Sequence, residues 1–256
     1  MSRILLREIE TLAEYGAVQA IAQEVWRFEP RQVPSTFDLQ VAGHVGGLTA
    51  GAFEGRTLVG FVHGLPRTNL DEPCHHSHML AVRRAWRGRG LSVRLKLFQR
   101  SWCLGRGIRL VTWTFDPLLT KNAHLNLVRL RARATCYLPN LYGPLGGLYG
   151  GLPTDRFEVH WRLASTEVVR AARGAFPEAS DAARLPVAVA GRRQSAARLA
   201  VPIPVDAASA RAGEVAAARR RQRRFGRLAR ELFEKGFEAV SVSLSEDRPV
   251  YVFERS

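Results

Sequence analysis

Between residues 76 and 105 the chain reads as a strand, a glycine- and arginine-rich turn and a helix. His76 to Val82 has strand character, and Arg87-Gly88-Arg89-Gly90-Leu91-Ser92 comes next. Leu91, Leu95, Phe98 and Trp102 then recur at three- and four-residue spacings, which predicts an amphipathic helix over 91–105. This unit places the chain among mixed α and β folds. It also sets backbone N–H groups at a helix start, where the helix dipole and the amides can cradle a pyrophosphate. Glycines let the backbone approach phosphate oxygens, and Arg84, Arg87 and Arg89 add positive charge. The turn lacks the Gly-Lys-Ser/Thr of a nucleotide-triphosphate loop, and the third glycine and later acid of a dinucleotide site.

The flanking sequence supplies the remaining layers. Residues 3–9 read as a strand, and Thr11-Leu-Ala-Glu14 is a capping box that starts a helix running to about residue 28. Pro30 and Pro34 interrupt it before a shorter helix at 37–45. Strands at 48–53 and 57–64 are joined by Glu54-Gly55-Arg56, a hairpin-length turn. Ile108 to Thr114 reads as a buried strand ended by Asp116-Pro117, and helical pattern resumes at 120–132. After a Gly/Pro/Tyr loop at 139–153, Phe157, Val159, Trp161 and Leu163 alternate with Arg156, Glu158, His160 and Arg162, a strand with one face to the core. Residues 1–163 are therefore read as one α+β domain. Residues 164–256 are read as an Arg-rich region packed on it: a connection with one or two short helices, a helix at 214–235 and a terminal hairpin at 237–253, too small to be stable alone.

Composition narrows the context. No window approaches the ~18 uninterrupted apolar residues of a membrane helix, and charges interrupt the first apolar stretch too early for a secretory signal, so a cytoplasmic protein is expected. Cys74, Cys103 and Cys136 form no disulfide or zinc spacing. The net charge of +15 is carried by arginine, since only Lys96, Lys121 and Lys235 are lysines, and such a field draws anions in general.

The run Met79-Leu-Ala-Val-Arg-Arg-Ala-Trp-Arg-Gly-Arg-Gly-Leu91 resembles the acyl-CoA motif of the GNAT (Gcn5-related N-acetyltransferase) superfamily, strand then R/Q-x-x-G-x-G/A then helix. Arg87 and Gly90 match, and Ser92 stands where Gly or Ala is usual. The element order over residues 3–163 is also that of the GNAT fold. Gln99-Arg100, Trp113-Thr-Phe-Asp116-Pro117-Leu118, Asn122-Ala-His-Leu-Asn126, Tyr142-Gly143 and Thr154-Asp155-Arg156 look like a bacterial subfamily of acyltransferases. The resemblance implies a mixed, mostly antiparallel central sheet flanked by helices. It implies acetyl-CoA or another acyl-CoA as co-substrate, with backbone groups of Leu80 and Val82 on the pantetheine arm. Arg87, Gly88, Arg89, Gly90, Leu91 and Ser92 would take the pyrophosphate, and Asn122 and Asn126 would hydrogen-bond CoA. The thioester would lie where strands 76–82 and 108–114 splay apart.

Attack by an amine requires a deprotonated nucleophile, a polarised carbonyl and a proton for the departing thiolate. The resemblance implies a base on the strand before the glycine turn, where His76 stands, and His78, two residues on and so on the same strand face, is the second candidate. Asp116 would orient a substrate ammonium or the base, and its plain alternative is a turn cap before Pro117. Trp113, Trp161 and Tyr142 are candidates for an acceptor site, although tryptophans on strands are more often core. Aligning Arg129-Leu130-Arg131-Ala132 with the family's usual helix ending puts Leu127 where a tyrosine acid normally stands. Tyr137, Tyr142 or water would then have to serve. The cluster Cys74-His75-His76-Ser77-His78 invites a metal, but alternate residues on a strand face opposite ways, so no metal is expected.

Together these features read as a CoA-dependent N-acyltransferase moving an acetyl, or a succinyl-like, group to the amine of a small molecule or amino acid. A protein N-acetyltransferase is the alternative enzyme, and a homodimer stays open. A nucleic-acid-associated CoA-binding protein is the alternative of a different class, because residues 164–236 hold 15 basic residues against seven acids; no nucleic-acid-reading motif supports it.

Overall fold

In the computed structural model the described residues are 4–143, 152–176, 182–204, 215–244 and 249–255. The chain divides into two compact units, residues 1–113 and 114–256.

The first unit is a sheet in the order β1 (Ile4–Glu8), β2 (Leu48–Glu54), β3 (Thr57–Arg67), β4 (Cys74–Val82), β5 (Leu110–Phe115), whose last two residues begin the second unit. All its neighbours are antiparallel except β4 and β5. Helix α1 (Leu12–Trp26) starts at the Thr11/Glu14 capping box, and α2 (Thr36–His44) starts at a second box, Ser35/Asp38. Their apolar sides, Tyr15, Val18, Ile21, Ala22 and Leu39, are buried with Phe53, Phe61, Met79 and Ala81 of the sheet. Helix α3 (Leu91–Leu104) buries Leu91, Leu95, Trp102 and Cys103, and with them the polar Lys96 and Gln99.

Strand β4 is irregular in two places. Its register with β3 slips where Ser77 pairs with Gly64 and Met79 with His63, so His78 is the extra residue of a β-bulge, a device that bends a strand and re-aims a side chain. Its parallel ladder with β5 has only three pairs, ending at His76 and Thr112, although β4 runs on to Val82.

The second unit is ordered β7 (Arg156–Arg162), β6 (Arg133–Leu138), β9 (Phe237–Ser243), β10 (Val250–Arg255), β8 (Arg198–Pro202), with antiparallel neighbours. Phe157 sits at the middle of an aromatic cluster, with ring centroids 5.2 to 6.3 Å from Phe115, Tyr137, Phe225, Phe233, Tyr251 and Phe253. Phe225 and Phe233 come from the long helix α6 (Val215–Glu234), so this helix and the terminal hairpin share one core with residues 114–163. The compact units divide at 113/114. Of the expected connection, 164–213, a short helix α5 (Thr166–Ala172) and the edge strand β8 are described; the hairpin turn 245–248 lies outside the described residues.

The expected helix at 120–132 takes another form. A four-residue turn α4 (Thr120–Ala123) passes into a π-helical stretch, His124–Arg129. The Leu130 amide donates to Leu125 O, five residues back, and the Leu130 carbonyl accepts from Trp161 Nε1 at 2.7 Å. The bond from Leu130 N to Leu125 O is the five-residue spacing that defines the wider turn.

Candidate active site

The glycine turn owes its shape to backbone conformation. Gly88 and Gly90 have φ of 77° and 73°, and a Cβ at either would meet open space, so the left-handed backbone, not crowding, requires glycine there. Gly90 is also the N-cap of α3 and offers no side chain to the helix start. The first bond back along the helix runs from Arg94 N to Gly90 O, so the amides of Leu91, Ser92 and Val93 have no partner within the helix. Arg84, Arg87 and Arg89 are exposed around them, and the Arg89 guanidinium stacks 4.6 Å from the Trp86 ring.

The strand feeding this turn has one edge committed and one open to other partners. Arg83 N donates to Val59 O of β3 at 2.9 Å, and backbone groups alternate along a strand, so Leu80 and Val82 direct theirs away from β3. The Val82 carbonyl is held at 3.0 Å by Arg87 Nε, which folds the loop's own arginine back over the strand end.

On the face carrying α1 and α2, three histidines gather. The His63 ring lies 6.3 Å from that of His78, which lies 6.3 Å from that of His76. His76 Nδ1 shares a hydrogen bond of 3.2 Å with Thr112 Oγ1, and His63 Nδ1 one of 2.8 Å with Thr49 Oγ1. Burial pushes His63 down to about 4, helped by His78, and lowers the pKa of His78 as well. His78 is the exposed residue of the bulge, and its ring lies between those of His63 and His76. Sequence reasoning did not single out His63, which a lone histidine on an apolar strand does not advertise.

The opposite face, toward α3, holds a polar cluster that the sequence reading also passed over. Lys96 is 2% exposed, and its Nζ donates to Ser77 Oγ at 2.8 Å and Gln99 Oε1 at 3.0 Å. It stands 3.6 Å from the centroid of the Trp113 ring. Gln99 Nε2 reaches His75 Nε2 at 3.1 Å, for which Gly64 leaves room, since a Cβ there would overlap the His75 ring. Burial lowers Lys96 to about 7 and His75 to about 3, the latter with help from the Lys96 charge. The legible signal was small: one of only three lysines, at a helical position whose i+3 and i+7 neighbours, Gln99 and Cys103, are also buried.

Trp113, expected at an acceptor site, is 6% exposed under Lys96, and Trp161 is fully buried against Leu130. Asp116 caps its own turn, accepting from Leu118 N at 2.9 Å, and lies 3.9 Å from Arg156; burial raises its pKa. Asn122 is exposed, whereas Asn126 is 5% exposed and its backbone carbonyl takes Ala132 N. Tyr142 is exposed, with its hydroxyl 3.2 Å from Thr114 Oγ1. Leu127 is fully buried. Tyr137 is unsuited to replace the missing acid. Its hydroxyl donates to Asp155, which also accepts from Gln222 Nε2 at 2.8 Å, and burial raises the phenol far above its ordinary range. Among the described residues, no three His, Cys, Asp or Glu side chains gather to hold a metal ion, and no helix is long and apolar enough to cross a membrane.

Comparison with known proteins agrees with this geometry. Residues 10–125 match the model of the acetyltransferase (GNAT) family. Among curated proteins no sequence match is found. The fold is similar to an aminoglycoside 6'-acetyltransferase type Ii at 15% identity, covering 63% of this chain and 98% of that one with a TM-score of 0.51. It is similar to a Salmonella typhimurium protein described as an acetyltransferase and solved with its cofactor acetyl-CoA, at 16% identity, 64% and 96% coverage and a TM-score of 0.51. A chain of the NatC complex bound to Gag peptide and CoA is similar at 10% identity, 63% and 99% coverage and a TM-score of 0.52. At these identities the likeness establishes the fold, a mixed and largely antiparallel sheet flanked by helices.

Proposed function

We propose that this chain, whose residues 10–125 match the model of the acetyltransferase (GNAT) family, transfers an acetyl or related acyl group from acyl-CoA to the primary amine of a small molecule or amino acid. The observation that carries the reading is β4 itself: it leaves β5 after His76, turns its backbone at Leu80 and Val82 away from β3, and ends in a glycine turn that opens α3. Acyl-CoA supplies an activated carbonyl on a thiol leaving group. The backbone at Leu80 and Val82 orients its amide-bearing arm, and the amides of residues 89–92 with Arg87 and Arg89 hold its pyrophosphate. His78, with His76 beside it, removes the proton that an ammonium acceptor must lose before its nitrogen attacks. The parts suggested for Asp116, Asn122, Asn126 and Tyr142 carry over as proposals on the family resemblance alone. Arginines favour a donor with a second carboxylate, so succinyl-CoA is worth testing beside acetyl-CoA.

A panel of amino acids, small polyamines and amino-terminal peptides, assayed for thiol release from both donors, tests this reading. Turnover with a small amine, reduced about 100-fold or more in His78→Ala, supports it. Turnover confined to peptides favours a protein N-acetyltransferase, and none with any amine contradicts transfer. One observation favours an added role: Arg219, Arg220, Arg221, Arg223, Arg224, Arg227 and Arg230 are all exposed on α6. Salt-sensitive binding of a nucleic-acid duplex, lost when four of them become Gln, is the result expected of that second reading.

A further inference from the structure

Loss of the usual tyrosine leaves the departing thiolate without an evident proton donor, and the fork between β4 and β5 offers one from the other side. The last paired residues are His76 and Thr112, so Ser77 and Trp113 are the first on each strand beyond the ladder. Lys96 reaches both: its Nζ is 2.8 Å from Ser77 Oγ and 3.6 Å from the Trp113 ring centroid. The lysine thus spans the apex of the fork from α3, while the histidines stand on the α1 and α2 face. Ser77 Oγ accepts a hydrogen from Lys96, which leaves its own proton to be donated. Gln99 Oε1 and the ring face take up the remaining donors of the ammonium. The titratable groups nearby are His75 on β4 and Cys103 on α3; burial holds the imidazole neutral and raises the thiol to about 12.

We propose that Ser77, backed by Lys96, is the group that protonates the thiolate leaving at the β4–β5 fork. This rests on the acyl-CoA reading above. As the acceptor nitrogen bonds to the carbonyl carbon, the C–S bond breaks and sulfur leaves with its electron pair. The Ser77 hydroxyl proton passes to sulfur, and Ser77 Oγ is reprotonated by the Lys96 ammonium. The proton released by the acceptor nitrogen goes to His78, and the neutral Lys96 amine regains its proton from solvent after the product leaves. Lys96 is a positioning and recharging residue; Ser77 touches the reacting sulfur. The burial that brings Lys96 to about 7 makes its proton easy to give and to recover near neutrality.

The test needs no acceptor. CoA itself is bound to the full chain, and its thiol is titrated through the ultraviolet absorbance of the thiolate, in the wild type, Ser77→Ala and Lys96→Met. A hydroxyl held toward the sulfur by the Lys96 amine favours the thiolate, so the bound thiol should titrate at least about one pKa unit below free CoA, a tenfold change in its acid constant. Both variants should return it toward the free value while CoA binding, followed by calorimetry, changes less than threefold. Ser77→Ala removes only one oxygen and keeps the test open if Lys96→Met does not fold. A thiol that titrates alike in wild type and Ser77→Ala overturns the relay and leaves the acyl-CoA reading standing. Absence of CoA binding to the wild type overturns both.

Discussion

A buried lysine is an expensive way to fill the space between α3 and β4, and the cost can be measured. Lowering Lys96 from an ordinary 10.5 to about 7 corresponds to a penalty on the charged form of order 5 kcal/mol, at about 1.4 kcal/mol per unit. Between about pH 7 and pH 10.5 the unfolded chain binds this proton and the folded chain does not, so wild-type stability rises with pH across that window. The contribution is complete above the unfolded value and lost as pH falls through the folded one. Lys96→Met removes the titration, although it leaves Ser77 and Gln99 short of a donor at about 1–3 kcal/mol for a buried unsatisfied group. The net effect at neutral pH is therefore a balance, but its pH dependence is not. Chemical denaturation of both proteins from about pH 7 to pH 10 should show the wild type gaining about 4 kcal/mol on the variant. The two chains differ by one charge in a net +15, so other titrations cancel in the comparison. A stability difference that stays constant with pH would refute the desolvation argument and, with it, the ready proton loss assigned to Lys96.

The frame around the site can be tested in the same way. Phe157→Ala should cost about 3–5 kcal/mol and reduce amide hydrogen-exchange protection in both β7 and α6, because one ring joins them; protection lost in β7 alone would contradict the shared core. Glu14, held at about 2 chiefly by Arg7, should stabilise by about 1 kcal/mol at neutral pH after allowance for its exposed position, a contribution lost as pH falls from 4.5 toward 2. Denaturation of Glu14→Gln checks this, since its deficit should vanish in that acid window.

Much of this molecule was legible because local chemistry agreed with the final packing. The Thr11/Glu14 box, the glycine turn before α3 and the alternation at 156–162 each specify an element without tertiary help. Two strands escaped notice for the opposite reason. Arg133-Ala-Thr-Cys-Tyr-Leu138 has no sustained apolar alternation and becomes β6 through pairing with β7 and β9. Arg198-Leu-Ala-Val-Pro202 lies at the edge of its sheet, where a terminal proline is tolerated. At the site, His76 came from the family resemblance, which implies a base on the strand before the glycine turn, and His78 from strand alternation, but the bulge at His78 depends on how β3 and β4 register. Lys96 was missed because a helical lysine normally faces water; its burial arises from Ser77, Gln99 and Trp113, which lie far apart in sequence. The π-helical turn after Ala123 was likewise not legible, since the 120–132 pattern reads as an ordinary helix.

The most direct test of the account is calorimetric titration of the full chain with acetyl-CoA at low and high salt, repeated with Gly90→Val. A β-branched residue at φ 73° strains the turn by about 1–2 kcal/mol and turns its amides away from the cradle. Saturable binding to the wild type, weaker at high salt and reduced at least tenfold in the variant, is the predicted result. Absence of binding, or equal binding by both proteins, would contradict the assignment of the glycine turn to the CoA pyrophosphate.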